Sequence, residues 1–523
     1  MVEYYLAGGG LRLWQVIIYS SMWVVIGCLI AAVFRRMLGP TKLKRIFADD
    51  TRWGLVTGWL IGMLLPVCSL GVIPIVRELH RAGVKRGTIV AFGLTAPLFN
   101  PMSVLYGLTL SDPIAILSFS LCALVIVSLL GWCWGKMVTT GEESVPEDNM
   151  PTVGIQRTIS VLYTASKELV GPSGVYIAIG ILASMALAIL LPKGYLQSQV
   201  EVDNAMAPVT VALVATPIYS TPLLAMSQIG GMFQHGNSIG AAFSLLILGA
   251  GTNIGLFCWF GATYGVRRVL LFYLMLAATT VGLAYVIDKP LYPKGVEPAG
   301  HSHAFDVYTH PFFKSETEVG ETAKNEAQNF WRTNEFGGTY MLMMLIVLGV
   351  VFTVSERFID YESWFVKEDT RDKKMDMIIP GWLLGVTVVV GLIAASVVGC
   401  YLYYPAPDDL LGDLSAVNTE AVACARTEQW EAADKWIRYA DDLSRRLEVG
   451  YFLRNGFASE YQTTKAKLYR EKLDRLKEAV DNRWTEEAKD WGMDVYNAYL
   501  RLNDSFREGG TRDTESTDGD STP

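Results

Sequence analysis

The sequence predicts an all-α polytopic membrane protein carrying a soluble helical bundle at its C-terminal end. Three observations carry that expectation. Hydrophobic residues make up 51% of the 523 and charged residues only 18%, with positive mean hydropathy, a balance seen in lipid-embedded chains and not in globular enzymes. Ten segments are apolar enough to cross a hydrocarbon core: 14–34, 53–76, 87–109, 114–136, 173–191, 206–229, 239–262, 267–287, 338–355 and 380–402. A span takes roughly 20 helical residues. Finally, two stretches repeat one pattern, a proline-broken segment followed by a second that holds an asparagine at membrane depth.

The first of these stretches runs Pro66-Val-Cys68-Ser69-Leu-Gly-Val-Ile-Pro74, then Gly87 through Asn100-Pro101. The second runs Pro217-Ile-Tyr219-Ser220-Thr-Pro222, then Gly240 through Asn253. Glycine and asparagine stand 13 residues apart in both halves, and proline and asparagine 34 apart in one and 36 in the other. Proline inside a helix removes a backbone donor and clashes with the preceding turn. Backbone freed in this way is tolerated in lipid only where it faces protein or a water-filled cavity. Interrupted helices at matching places in two halves are the sequence pointer to a midplane substrate site. The plainer alternative is two kinked helices joined by Asn100 and Asn253 as interhelical glue.

Taken in order, the first apolar segment lacks a basic n-region and is too long for a signal-peptide core, so it reads as a retained anchor. The loop 35–52 carries Arg35, Arg36, Lys42, Lys44, Arg45 and Arg52 and is expected on the cytoplasmic side. Arg77, Arg81, Lys85 and Arg86 break a strict alternation of crossings, which favours re-entrant elements at 53–76 and 87–109. An even number of crossings per half predicts parallel repeats, about 10–138 and 172–288, within a permeation core of 1–289. Residues 142–148 form an acidic linker, and 155–170 an amphipathic stretch for the membrane surface. A His-containing loop at 290–337 is expected outside, followed by two added helices in 338–403. Residues 404–508 form the soluble helical domain, and 509–523 a disordered tail. That stretch from 404 holds 25 acidic and 17 basic residues, which accounts for the whole net charge of −8.

Chemistry at membrane depth is neutral. The broken segments offer Pro66, Cys68, Ser69, Pro74, Asn100, Pro217, Tyr219, Ser220 and Asn253, and the eight repeat segments hold no carboxylate except at their edges. A buried-carboxylate proton relay is therefore not expected. The lining suits a neutral or weakly charged solute, or one met by backbone carbonyls and a soft sulfur. There is no Gly-rich phosphate loop, so the chain is not expected to hydrolyse ATP or act as an enzyme.

Residues 58–110, GWLIGMLLPVCSLGVIPIVRELHRAGVKRGTIVAFGLTAPLFNPMSVLYGLTL, resemble the first half of the predicted-permease family that includes organoarsenical and putative heavy-metal efflux permeases. Residues 205–265 are similar to its second repeat. The resemblance implies a permease fold over roughly 10–290 and a pathway through Pro66, Cys68, Pro74, Asn100, Pro217 and Asn253. The thiols of that family are thought to meet a soft metal or metalloid. This chain keeps Cys68, whereas Leu70 and Tyr219-Ser220-Thr221 occupy the other thiol positions. One thiolate is a ligand and not a chelate.

Outside the membrane, His301, His303, Asp306 and His310 fall within ten residues and have the donor types of a zinc or copper site. The plain alternative is a solvated loop. The sequence thus predicts a multi-pass protein of a bacterial-type inner membrane that exports a small inorganic or organometallic solute. Its partners are the lipid bilayer, that solute and an envelope protein at the extracytoplasmic C-terminal domain, with no nucleic acid. The competing expectation is a membrane-anchored scaffold or receptor.

Overall fold

The computed structural model describes residues 2–47, 53–111, 113–138, 155–293, 296, 303–314, 319–333, 337–366 and 380–507. Among them every regular element is helical. A long helix opens the chain as α1 (Val2–Val33), passes through a π turn at 34–38 and continues as α2 (Gly39–Ile46). Six helices among the described residues are long and apolar enough to cross a membrane. The expected ten crossings are not all reached, because several of the apolar segments are broken.

The breaks follow the prolines. Segment 53–76 becomes α3 (Gly54–Leu64) and α4 (Val72–Arg81), and segment 87–109 becomes α5 (Arg86–Thr95) and α6 (Pro101–Leu110). After them come α7 (Pro113–Met137), α8 (Ile155–Val170) and α9 (Pro172–Leu190). The next segments split in the same manner, into α10 (Ala207–Ala215) with α11 (Pro222–Gln234), and α12 (Ile239–Ser244) with α13 (Ile254–Tyr264). A long α14 (Val266–Asp288) follows. Pro101 and Pro222 sit in the first turns of α6 and α11, where a missing N–H costs nothing.

Neighbouring residues fix the course of these pieces. Gly58 lies against Thr88, and Gly62 against Thr95 and Ala96, so α3 and α5 run parallel. A tight turn at 82–85 joins α4 to α5, so α4 must double back beside α3, and the pair enters and leaves by one face. The second set behaves alike: Gly240 meets Pro208 and Gly249 meets Ala215, so α10 and α12 are parallel and α10–α11 doubles back. By contrast α5–α6 runs the depth of α7, with Gly87 against Gly131 and Gly107 against Ile116. The bent pair α12–α13 likewise serves as one span, with an angle of 56°. The segment 87–109, expected to be re-entrant, therefore crosses, whereas 53–76 does not.

Gly9 of α1 packs on Ile189 near the end of α9, while Arg35 near the other end of α1 pairs with Glu168 just before α9 begins. The two helices are antiparallel. The two helix sets they lead are accordingly inverted, and the expectation of parallel repeats is corrected: each set contains three crossings and one hairpin, an odd number, not four crossings.

Lipid explains the outer surface. Ile114, Leu117, Leu121, Val125, Leu129 and Trp132 of α7 are exposed along one stripe, and Ala115, Phe119, Ala123, Ile126 and Leu130 are buried on the other. An apolar stripe this long is stable facing hydrocarbon. Beyond α14 a 3-10 turn at His303–Tyr308 precedes α15 (Val319–Thr333), α16 (Gly337–Ser355), α17 (Tyr361–Val366) and α18 (Gly381–Tyr403). The stretch 155–170, expected on the membrane surface, buries Ser160, Tyr163, Thr164 and Ala165 of α8 instead. Arg36 donates to Thr164 at 2.7 Å, and Gly349 of α16 lies on the Ser166 carbonyl.

The chain divides into two compact units near residue 396. In the second, α19 (Pro407–Arg426), α20 (Trp430–Asn455), α21 (Glu460–Asp481) and α22 (Thr485–Arg507) bury Leu411, Leu414, Ile437, Leu447, Tyr469, Leu476 and Leu502. Arg470 donates to Glu448 at 2.6 Å, with both side chains 4% exposed. Burial pushes the Glu448 carboxyl above the usual glutamate range, against the pull of Arg470.

Candidate functional site at the junction of the broken helices

The two hairpins enter from opposite faces, and the tip of the first meets the break of the α12–α13 span. Asn253, in the break before α13, donates from Nδ2 to the Ser69 carbonyl in the break before α4, at 2.5 Å. Gly180 of α9 leaves room for both, since a Cβ there would stand 2.6 Å from Leu70 and 3.1 Å from the Asn253 side-chain oxygen. On the other side α1 closes in: a Cβ on Gly27 would lie 2.0 Å from the Gly71 carbonyl oxygen. Cys68, Ser69, Asn100 and Ser220 are completely buried, and Tyr219 is 4% exposed.

Four half-helices, α4, α6, α11 and α13, begin in this region. Unfilled N–H groups at helix starts need acceptors. Asn100 accepts from Ser103 N–H at 2.8 Å, Thr221 from Leu224 N–H at 3.1 Å, and Asn253 from Leu256 N–H at 2.8 Å. The start of α4 has no side-chain oxygen cap, and there the Gly71 N–H donates to the Cys68 sulfur at 3.3 Å. Both asparagines are thus N-caps, a role the sequence did not reveal. Asn253 uses its second group to bridge the α12–α13 span to the tip of the first hairpin.

Equivalent positions differ in what they satisfy. Pro66-Val67-Cys68-Ser69 and Pro217-Ile218-Tyr219-Ser220 occupy matching breaks, so the Tyr219 ring stands where the other half has a thiol. Its hydroxyl faces the Cys68 sulfur, but no hydrogen bond of ordinary geometry forms there. The Ser69 hydroxyl and the Asn100 amide nitrogen are also buried without a partner. Buried polar groups are rarely left so. Pro66 and Pro74 are buried and Pro217 half-buried, and all three shape the backbone without offering a polar side-chain group.

Two polar sets beside the junction were not singled out by sequence. On the face where α1 starts, Tyr308 donates to Gln228 of α11 at 2.6 Å. At the opposite face Glu168 accepts from Arg77 and Ser173 and pairs with Arg35 at 3.7 Å. The sequence separates these partners by 80 residues or more, apart from Ser173, and α8 carried no signal of approach to the core.

Of the expected metal set, His301 and the side chain of His303 lie outside the described residues. The Asp306 carboxylate accepts from Gln197 at 2.8 and 3.0 Å. His310 is buried, stacked on Tyr4 with ring centroids 3.7 Å apart, and its ring nitrogens lie 3.0 Å from the Phe312 carbonyl and 3.2 Å from the Tyr4 carbonyl. Among the described residues no group of three His, Cys, Asp or Glu side chains is arranged to hold a metal ion.

A profile of the predicted permease family ArsP_1 matches residues 13–289, more than half of the chain. The chain belongs to this permease family. The matched span of the permease holds both hairpins and ends with α14, so the 303–314 segment and the C-terminal unit lie beyond it. The permease is 32% identical over 88 residues to "UPF0718 protein YcgR" of Bacillus subtilis (strain 168), covering 17% of this chain and 30% of that protein. It is 24% identical over 88 residues to a "Putative two-component membrane permease complex subunit" of Streptococcus mutans, covering 17% of this chain and 29% of that protein. The matches thus span less than a third of each relative's length. No solved structure matches the permease.

Proposed function

We propose that the permease exports a small inorganic or organometallic solute, a metal or metalloid, by alternating access through the junction of the two hairpins. The observation that carries this reading is an asymmetry between equivalent asparagines. Asn253, on the α12–α13 span, bridges to Ser69 at the tip of the first hairpin, whereas the Asn100 amide nitrogen is buried and unbonded. In an inverted pair of repeats the two conformations of the transporter exchange the roles of its halves. One bridge made and its counterpart open is what a single state of such a cycle requires. The unpaired donors of Ser69, Asn100 and Tyr219, with the Cys68 sulfur, provide an uncharged lining in which a solute replaces the missing partners.

Accumulation of metals, arsenicals and small anions in cells expressing the full chain tests the reading. Asn100→Leu and Asn253→Leu each abolish transport of the carried solute while the protein stays in the membrane. Wild-type transport by both, at wild-type expression, overturns it. The reading places the protein in a bacterial-type inner membrane with the α1-start face and the C-terminal unit outside, and adds zinc or copper binding around His301 and His303 as an accessory property.

A second reading is a membrane-anchored scaffold that presents the C-terminal unit to an envelope protein. It is favoured by the compactness of that unit and by the word "complex" in one relative's name. The inverted broken helices, which an anchor does not need, favour transport.

A further inference from the structure

We propose that residues 303–312 form a plug that shuts the pathway on the α1-start face, and that Tyr308 is a substrate-site residue supplied from outside the family-matched core. The inference rests on the reading of the hairpin junction as the pathway. The Tyr308 ring is 4% exposed, and its hydroxyl reaches Gln228 on the wall of α11. Between Tyr308 and Tyr219 remains a cavity of about 20 Å³, walled by Arg12, Tyr19, Ser184 and Leu224. That volume holds about one water molecule. Tyr219, which faces Cys68 across the junction, also lines this cavity, so removing the segment would open a route from the α1-start face to the thiol.

The segment is fastened as a plug must be, chiefly by side-chain bonds and by one backbone bond, all of which can be released without unfolding a helix. Arg12 of α1 donates through Nε to the Thr309 carbonyl at 3.0 Å and through Nη2 to the Asp306 carbonyl at 2.7 Å. Gln197 holds the Asp306 carboxylate, and the His310 backbone N–H donates to the Leu191 carbonyl at the end of α9 at 2.8 Å. Tyr4 clasps the far end, stacked on His310 and donating to the Phe312 carbonyl at 3.0 Å. The fastenings lie on α1 and at or just beyond the end of α9, while the inserted tyrosine bonds to the second hairpin. A shift of that hairpin relative to α1 and α9 therefore pulls Tyr308 away from Gln228. The tyrosine offers an uncharged hydroxyl, in keeping with the other donors of the site, and so would select among solutes by hydrogen bonding and size.

The test uses the full chain with Cys68 as its single cysteine, the other six replaced by alanine, and a membrane-impermeant methanethiosulfonate applied from the α1-start face. Cys68 is expected to react at least ten-fold faster in Tyr308→Ala and in Arg12→Ala than in the parent. Tyr308→Phe keeps the ring and loses one hydrogen bond, so its rate is expected to rise about five-fold. This gentle variant guards against misfolding in the other two. Equal rates in the parent and all three variants, or no reaction in any of them, would overturn the proposal. The readout is reagent access and not transport, so a chain that carries no solute yet shows these rates would refute the permeation reading and leave the plug standing.

Discussion

Asn253→Ser isolates the bridge between the α12–α13 span and the first hairpin. Serine caps a helix start about as well as asparagine, so the bond to the Leu256 N–H is retained in kind. What disappears is the Nδ2 donor, and with it the 2.5 Å bond to the Ser69 carbonyl. Interhelical hydrogen bonds in membrane proteins average about 0.6 kcal/mol and reach about 1.7 kcal/mol. If the bridge holds the span and the first hairpin together only in the conformation described, its loss multiplies the open population by about 3-fold to about 18-fold. Cys68 is fully buried in this conformation, so its alkylation by membrane-permeant N-ethylmaleimide reports the opening. In the Cys68-only background, the rate for Asn253→Ser is expected to rise by that factor. Asn100→Ser keeps an acceptor for the Ser103 N–H and removes only an amide nitrogen that has no partner here, so it should leave the rate unchanged or lower it. Equal acceleration by both variants would show that the asparagines act only as caps and would refute the asymmetry.

Cys68→Ser separates solute classes in the accumulation assay: soft-metal or metalloid transport collapses to background without the sulfur, and transport of a hard or neutral solute persists. A peptide of residues 298–314, titrated with zinc and copper, is expected to bind with micromolar or weaker affinity and to lose binding when His301 and His303 are both replaced by alanine; unchanged binding removes the site. Arg470→Met leaves Glu448 buried and unpaired, which destabilises the C-terminal unit by about 3–5 kcal/mol, measured by proteolysis of that unit in the full chain. The folded Glu448 value lies above the unfolded one, so its contribution is complete below the unfolded value and is lost as pH rises through the folded one. Glu448→Gln should flatten that decline above the ordinary glutamate range, and an unchanged pH profile would count against it. Cys424 is buried in the C-terminal unit, so orientation is read from Thr427→Cys at an exposed position: an impermeant maleimide applied to intact cells should label it, as the basic loop 35–52 predicts, and labelling only after lysis reverses the orientation.

Much of the pattern of helix breaks was legible because proline acts locally. Pro101 and Pro222 start half-helices wherever the chain lies, and Asn100 and Asn253 cap the two that follow their breaks. Basic residues at 77–86 also betrayed a hairpin, since charge resists burial in lipid whatever the neighbouring helices do. What failed was the assignment of hairpins. Segments 53–76 and 87–109 have like composition, and only the packing of Gly58 on Thr88 and Gly87 on Gly131 shows which doubles back. Long-range polar partners were equally hidden. Tyr308 reads as one aromatic in a loop notable for its histidines, and nothing local announces Gln228 as its partner.

The corrected hairpin assignment changes the mechanism and not only the topology. With four crossings per half, the repeats would be parallel and both broken elements would open toward the same face. With three crossings and one hairpin, the half led by α9 is turned over, so one hairpin enters from each face, and the tip of the first meets the α12–α13 span of the other half at Ser69 and Asn253. A bridge at that point couples the two halves directly, because moving either one strains or releases the same bond. The Arg35, Arg77 and Glu168 set lies behind the first hairpin, and the Tyr308 and Gln228 pair behind the second. The first hairpin is tied to its face by a charged network whose side chains are 16–26% exposed, whereas the second is held by neutral hydrogen bonds, among them Tyr308 to Gln228, Thr216 with Tyr273 and the Tyr219 N–H to Ser184. Charge-assisted bonds are roughly twice as strong as neutral ones. On the export reading proposed above, with the α1-start face outside, these weaker contacts would let the second hairpin release first and open the discharge side.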